Sequence, residues 1–252
     1  MAHLFTVIFY QPILNLLVFL YNTISFRDFG VAIILLTVVI KLVFWPLGRQ
    51  AIKSQKSLQD LQPKLEDLKK KYANDKAELS RATMELYKNN KVNPFSSCLP
   101  LLIQLPFLIA VYRVFRAGIN SDLSLVYPFI YKPETINTIS FGFLNLAHNN
   151  IVLAVLAGLA QFWQAKMLIT AKPAVNTPGS KDESMTAIMN KQMLYFMPVI
   201  TVFIGASLPG GLTLYWFVIT LFTALQQLLT LRKKTDQDNN SVGKTIDGEL
   251  VK

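Results

Sequence analysis

Apolar residues in this chain come in blocks rather than in alternation, and five of the blocks approach the ~20 residues that an α-helix needs to cross a bilayer. They are Phe29–Leu47, Phe95–Phe115, Ile151–Thr170, Met193–Leu208 and Gly210–Leu231. The composition agrees: 52% of residues are hydrophobic and 16% charged, against roughly 25% charged in a soluble domain. A length of 252 residues leaves room for one domain with appendages.

The blocks carry polar interruptions. The second contains Pro100, Gln104 and Pro106, the third adds Gln161 and Gln164 after Ala160, and the fourth contains Pro198. Pro209-Gly210-Gly211 makes a very tight break before the fifth. Prolines and amides at membrane depth are tolerated where a neighbouring helix or a wet cavity satisfies the freed polar groups. A sixth apolar stretch, Leu4–Ile24, contains Pro12 and lacks a basic leader and a convincing cleavage site, which argues against a removed signal peptide. Its aromatics (Phe5, Phe9, Tyr10, Phe19, Tyr21) and its amides Gln11 and Asn15 fit a helix lying in the outer interface better than an additional span.

Lysine and arginine set the expected orientation. Residues 48–91 hold eleven basic side chains, among them Lys69, Lys70 and Lys71; 171–192 adds Lys172, Lys181 and Lys191, and the tail adds Arg232, Lys233, Lys234, Lys244 and Lys252. The segment 116–150 has only Arg116 and Lys132. Five spans with 48–91, 171–192 and the C-terminus in the cytoplasm satisfy the positive-inside rule. Basic loops facing an anionic leaflet also explain the net charge of +10, so no nucleic-acid sequence is implied as a partner.

Between the first two blocks, Leu58, Leu61, Leu65, Leu68 and Tyr72 form a helical seam that Pro63 interrupts, as a kink or as the first turn of a new helix. Asn74-Asp75 marks a turn, with Asp75 and Glu78 spaced as a capping box, and Leu79, Ala82, Thr83 and Leu86 make a second stripe. Two antiparallel helices with charged outer faces are expected. They serve either as a plain solvated connection or as a protrusion that contacts a partner or lipid headgroups through Lys69, Lys70 and Lys71.

Lys41 stands inside the first block without an acidic residue in any of the long apolar runs. A lone ammonium at that depth costs at least ~2.5 kcal/mol. It is solvated by water, carbonyls, lipid phosphate or a visiting substrate, or it snorkels towards the headgroups near Arg49. Cys98 is the single cysteine and His3 and His148 are the only histidines, so neither a disulfide within the chain nor a metal site is expected, and no cofactor is implied. For Gln104, Gln161 and Gln164 the plain alternative is interhelical hydrogen bonding. For Tyr215 and Trp216 it is an aromatic belt at the outer interface. For Met185, Met189 and Met193 it is ordinary packing rather than a soft substrate face.

The run from Pro46 to Tyr112, the opening QPILNLLVFLYN (Gln11–Asn22), YFMPV (Tyr195–Val199) and LPGGLTLYW (Leu208–Trp216) resemble the YidC/Oxa-type membrane protein insertases, in an order and spacing that cover essentially the whole chain. The resemblance implies an all-α integral membrane protein with five core transmembrane helices and a cytoplasmic two-helix hairpin, to which the residue pattern of Leu4–Ile24 adds an N-terminal interfacial helix. It further implies a hydrophilic groove whose cation, usually arginine, maps onto Lys41. Lysine keeps the charge but loses bidentate recognition of carboxylates. Ser96-Ser97 stand where glycines are common, and Ile219-Thr220 where an asparagine is common, so no role is carried onto Ile219.

The domains expected are an interfacial helix at 1–28, a first span at 29–47, a cytoplasmic hairpin at 48–92, spans two to five at 93–231 and a disordered cytoplasmic tail at 232–252. The expected groove residues are Lys41, Gln104, Gln161, Gln164 and Thr220. The partners implied are nascent membrane proteins and lipids, a SecY-type translocon, and the ribosome, the last weakly because the tail nets only +1. The location implied is the bacterial cell membrane. A channel or small-solute transporter is the competing reading, since an intramembrane charge also marks ion paths. Against it, no paired acids or evident repeat of broken helices occurs in the spans. No spanning Ser/His or Asp/Asp arrangement suggests an enzyme.

Overall fold

The computed structural model describes residues 2–93, 99–119, 123–168 and 192–249, of which 2, 99–103, 118–119 and 233–249 are described by their backbone alone. Ser96, Ser97, Cys98, Lys172, Lys181, Met185, Met189, Lys191 and Lys252 lie outside the described residues.

Proline placement explains where the helices change character. The N-terminal helix begins as α1 (Ala2–Phe5), passes through a π-helical turn at Thr6–Tyr10 and continues as α2 (Gln11–Thr23). The Gln11 N–H donates to the Thr6 carbonyl, five residues back, just before Pro12, which has no N–H to give. The same device recurs ahead of Pro198, where a π-turn at Gln192–Phe196 leads into α9 (Met197–Ser207). Helix α3 (Phe29–Val43) stops before Pro46, and the chain restarts as α4 (Trp45–Asp60) with its axis turned by 71°.

The block Phe29–Leu47 is therefore not one straight span. Its 15 helical residues reach ~22 Å, short of the ~30 Å hydrocarbon core. The expected first arm of the hairpin also divides, at Leu61, into α4 and α5 (Gln62–Lys71), with Pro63 in the first turn of the latter. Helix α6 (Lys76–Asn89) packs back on α5, and the Asp75 carboxylate caps it by accepting from the Glu78 N–H at 2.9 Å. The remaining elements are α7 (Leu99–Ile119), a two-stranded antiparallel hairpin β1 (Ile139–Ser140) and β2 (Leu144–Asn145), α8 (Ile151–Leu168) and α10 (Gly210–Glu249). Helix α10 runs on through the tail expected to be disordered, since no proline interrupts it and extending a formed helix costs little.

Among the described residues, His3–Thr23, Ile151–Leu168 and Gly210–Arg232 are long and apolar enough to cross a membrane, and the bent pair beginning at Phe29 makes a fourth if counted as one crossing. Gln192–Ser207 is a shorter apolar helix. The N-terminal helix, expected to lie in the interface, thus has the length and composition of a span.

Lipid tails are as apolar as leucine, so close van der Waals contact rather than hydrophobicity must hold such helices together. Glycines provide it. A Cβ on Gly158 of α8 would lie 2.5 Å from Val202 Cγ2 and 3.1 Å from the Pro198 carbonyl oxygen of α9. A Cβ on Gly211 at the start of α10 would sit 1.5 Å from the Phe115 ring of α7. Around that contact Tyr21, Phe29, Phe115 and Tyr215 are buried, with the Phe29 and Phe115 rings 4.9 Å apart and the Tyr21 and Phe29 rings 6.3 Å apart at 82°. Each such pair adds about 0.5–1.5 kcal/mol beyond its buried area.

The connection from α7 to α8 folds against the N-terminal helix and the start of α3. Gln11 and Asn15 donate to the Leu125 carbonyl, Asn22 donates to the Tyr131 carbonyl, and the Tyr21 hydroxyl accepts from the Asn137 N–H. Asp28 caps α3 by accepting from the Val31 N–H at 3.0 Å and takes the Phe141 N–H on its other oxygen at 2.7 Å. Burial raises the Asp28 carboxyl pKa, but the N–H donors of Phe141 and Val31 outweigh it and hold the group below its ordinary 3.8.

Gly211→Val should lower stability by about 1–3 kcal/mol through overpacking, read as a lower melting temperature in detergent, with Phe115→Leu restoring part of the loss. Because the Asp28 pKa is lower folded than unfolded, its stabilisation is complete above the unfolded value and fades as pH falls through the folded one. Melting of the native chain should therefore weaken below about pH 4, and Asp28→Asn should show a smaller weakening over that range. An identical acid profile would remove Asp28 from the account.

Candidate functional site

Beside the aromatic core, the bundle forms a half-open cavity of about 460 Å³. Its walls are Ile40 and Lys41 of α3, Gly48, Ile52 and Gln55 of α4, Gln104 and Phe107 of α7, Gln161 and Gln164 of α8, and Tyr215 to Gln226 of α10. The stretch from Tyr215 to Gln226, eleven helical steps, gives it a length of ~16 Å along α10. At one end stands the buried Tyr215, which shares a core cluster with Phe29, Phe115, Ile33 and Leu146. The other end reaches the α3–α4 bend.

Lys41, Gln104, Gln161, Gln164 and Thr220 all line this one cavity, although they come from four separate helices. Their hydrogen bonds are specific. Lys41 Nζ donates to Thr223 Oγ1 at 2.6 Å, and that hydroxyl donates in turn to the Ile219 carbonyl at 2.6 Å. Gln104 Nε2 donates to the Tyr215 hydroxyl at 2.7 Å, and the Thr201 hydroxyl donates to Gln161 Oε1. The Gln164 carbonyl accepts from Gln227 Nε2 at 3.2 Å. Among the described residues no carboxylate pairs with Lys41; the ion pairs lie on the hairpin, Lys56–Asp60 and Glu78–Arg81.

A cation held by a neutral hydroxyl keeps most of its field for whatever enters the cavity, because an opposite charge alongside would cancel it. The cavity can thus receive a polar or anionic chain segment and hold water against amides. Interhelical bonding and cavity lining coexist in Gln104 and Gln161: each spends one polar atom on a neighbour and keeps its other amide atom.

Lys69, Lys70 and Lys71 lie away from the cavity, exposed in the last turn of α5, where positive charge suits the helix C-terminus. The Lys71 ammonium sits 5.2 Å from the centre of the Tyr72 ring. Tyr215 does not join an aromatic belt, since it is fully buried in the core and bonded to Gln104.

Thr223 and Gln226 are site residues that the sequence reading passed over. Gln226 is buried and donates to the Trp45 carbonyl at 2.8 Å, so α10 grips the bend between α3 and α4. Its side chain fits because Gly48 has no Cβ, which would stand 2.8 Å from Gln226 Oε1. The available signal was a polar stripe at helical spacing, Thr220, Thr223, Gln226, Gln227 and Thr230, along an otherwise apolar helix.

A helical bundle with span-length apolar helices around a polar cavity that carries one lysine defines a polytopic membrane protein. Residues 19–238 match the family described as 60Kd inner membrane protein, and the chain belongs to that family. It is 36% identical over 227 residues to a protein of Fusobacterium nucleatum subsp. nucleatum named membrane protein insertase YidC, covering 89% of this chain and 97% of that relative. Relatives of the same name are 37% identical in Syntrophus aciditrophicus and 36% identical in Lawsonia intracellularis, over 86% and 88% of this chain. The chain spans 35% and 38% of the length of those two proteins.

If the Gln104–Tyr215 bond ties α7 to α10, a double-mutant cycle of Gln104→Leu and Tyr215→Phe should give a coupling of about 0.5–1.5 kcal/mol in unfolding. Additive losses would mean that the two side chains stand side by side without mutual support.

Proposed function

We propose that this chain is a membrane protein insertase and chaperone. It receives the short polar tail of a client protein in the cavity and releases the client's apolar helix into lipid. The observation that carries this is the meeting of Lys41, Gln104, Gln161, Gln164 and Thr220 around one cavity. The relatives' names support the same reading.

The barrier to insertion is moving polar groups through hydrocarbon, at several kcal/mol for each one left unsatisfied. A wet cavity partway across the bilayer lowers that barrier, and Lys41 attracts acidic tails. The apolar helix then partitions into lipid, so the step needs neither a nucleotide nor a metal. Five core crossings, with α4–α6 and the C-terminus in the cytoplasm, put the cavity's far end towards the cytoplasm and the aromatic end outside. The basic residues of 48–91 support that orientation. The bonds from Gln11, Asn15, Tyr21 and Asn22 to the 125–137 connection support keeping the N-terminal helix at the outer boundary. Lys69, Lys70 and Lys71 offer headgroups or a SecY-type translocon a basic contact, and the ribosome is a weaker candidate for the tail.

Lys41→Glu should impair insertion of clients with acidic translocated tails more than clients with neutral ones, in reconstituted vesicles at matched protein levels. Equal insertion of both client types would sink the electrostatic role. Solute flux through the purified protein in sealed liposomes, with no insertion of clients, would overturn the insertase reading itself.

A further inference from the structure

A block of large aromatic side chains faces outward from the turn between α2 and α3 and from the α7–α8 connection. Phe26 is 97% exposed, Phe129 82%, Tyr131 67% and Phe143 82%. They are held together by the backbone beneath them. Asn22 Nδ2 binds the Tyr131 carbonyl at 2.7 Å, the Phe141 N–H binds Asp28 at 2.7 Å, and Ser140 Oγ accepts the Gly30 N–H at 2.6 Å. The Phe129 ring stacks on Tyr127 at 5.4 Å.

Two features separate this block from an ordinary loop. Phe26 and Phe141 both take left-handed backbone, φ 54°, where glycine or asparagine is usual. At Phe26, where the Asp28 N–H closes the turn on the Ser25 carbonyl at 2.9 Å, that backbone holds an exposed ring outward at a conformational cost, and strain of that sort points to a use for the ring; the Phe141 ring instead lies against Gly30. The block also continues the apolar surface of the bundle. It adjoins the first residue of α3, and its connection leads into Ile151 and Val152, both exposed at the start of the span-length helix α8. Arg27 and Lys132 are exposed beside the rings; the nearby acids are Asp28, engaged by N–H donors, and the exposed Glu134.

We infer that Phe26, Phe129, Tyr131 and Phe143 form a lipid anchor, seated at the headgroup–acyl boundary with Arg27 and Lys132 against lipid phosphate. Aromatic side chains favour that layer, and helices that begin beside the block place it there. Anchoring this block fixes the depth of the aromatic end of the bundle in the outer leaflet. The inference uses the membrane placement of the chain and is independent of the insertase reading.

The test is spin-label depth in reconstituted vesicles of mixed zwitterionic and anionic lipid. A Cys98→Ser chain carries one label, through Glu134→Cys beside the intact block or Met84→Cys on the exposed hairpin as control. The label at 134 should collide with dissolved oxygen more, and with a water-soluble nickel chelate several-fold less, than the label at 84. Adding Phe26→Ser and Phe143→Ser, two exposed positions, should raise the nickel collisions at 134 several-fold. Nickel collisions at 134 equal to those at 84 would overturn the anchor. So would protection from both reagents, which means a covering protein surface, or no response to the double substitution.

Discussion

A polar side chain among apolar helices has to find a partner, because hydrocarbon supplies none. Helix α10 meets most of that need. It accepts from Lys41 through Thr223, from Gln104 through Tyr215, and donates through Gln226 and Gln227 to Trp45 and Gln164. In doing so it binds α3, α4, α7 and α8 to one axis. The cavity is the space left where these bonds hold the helices apart, and the small residues at Gly158 and Gly211 bring them together elsewhere. Removing the polar stripe of α10 would leave amides on several helices with no reason to face the same way.

The bundle is unequal at its two ends for a related reason. At Tyr215 the helices meet largely through rings, with Gly211 making room for Phe115, and the buried hydroxyls there are bonded locally, Tyr215 to Gln104 and Thr213 to the Gly205 carbonyl. At Gln226 the helices meet through a bent backbone, where Pro46 prevents α3 from continuing straight. An aromatic end and a bent polar end make the two ends of the cavity unlike. The Asp28 network adds stiffness outside the aromatic end by joining α3 to the strand hairpin.

Much of the architecture was legible in the sequence. The apolar blocks at Ile151 and Gly210 and the Asp75 cap follow from hydropathy and capping rules that act within a few residues, whereas the block expected as a fourth span, Met193–Leu208, forms only the shorter apolar helix Gln192–Ser207. The bend at Phe44 was harder to see, since Trp45-Pro46-Leu47 is as apolar as the run before it. Hydropathy does not register a change of axis. The N-terminal stretch was ambiguous for a like reason: its amides suggested a solvated face, yet Asn15 is buried and spends its side chain on Leu125 and Tyr127 across the fold.

By itself the sequence determined which residues had to be explained: a lysine without a carboxylate and amides in apolar helices, each too costly to leave in lipid. It could not say that they face one another, because an amide at position 104 and a hydroxyl at 215 are 111 residues apart and periodicity carries no information over that distance. Tertiary structure decided that Lys41 answers to Thr223, that Gln226 grips the α3–α4 bend, and that Tyr215 is buried. These outcomes depend on how helices cross, which close contacts at glycines set, rather than on the local pattern of any one helix.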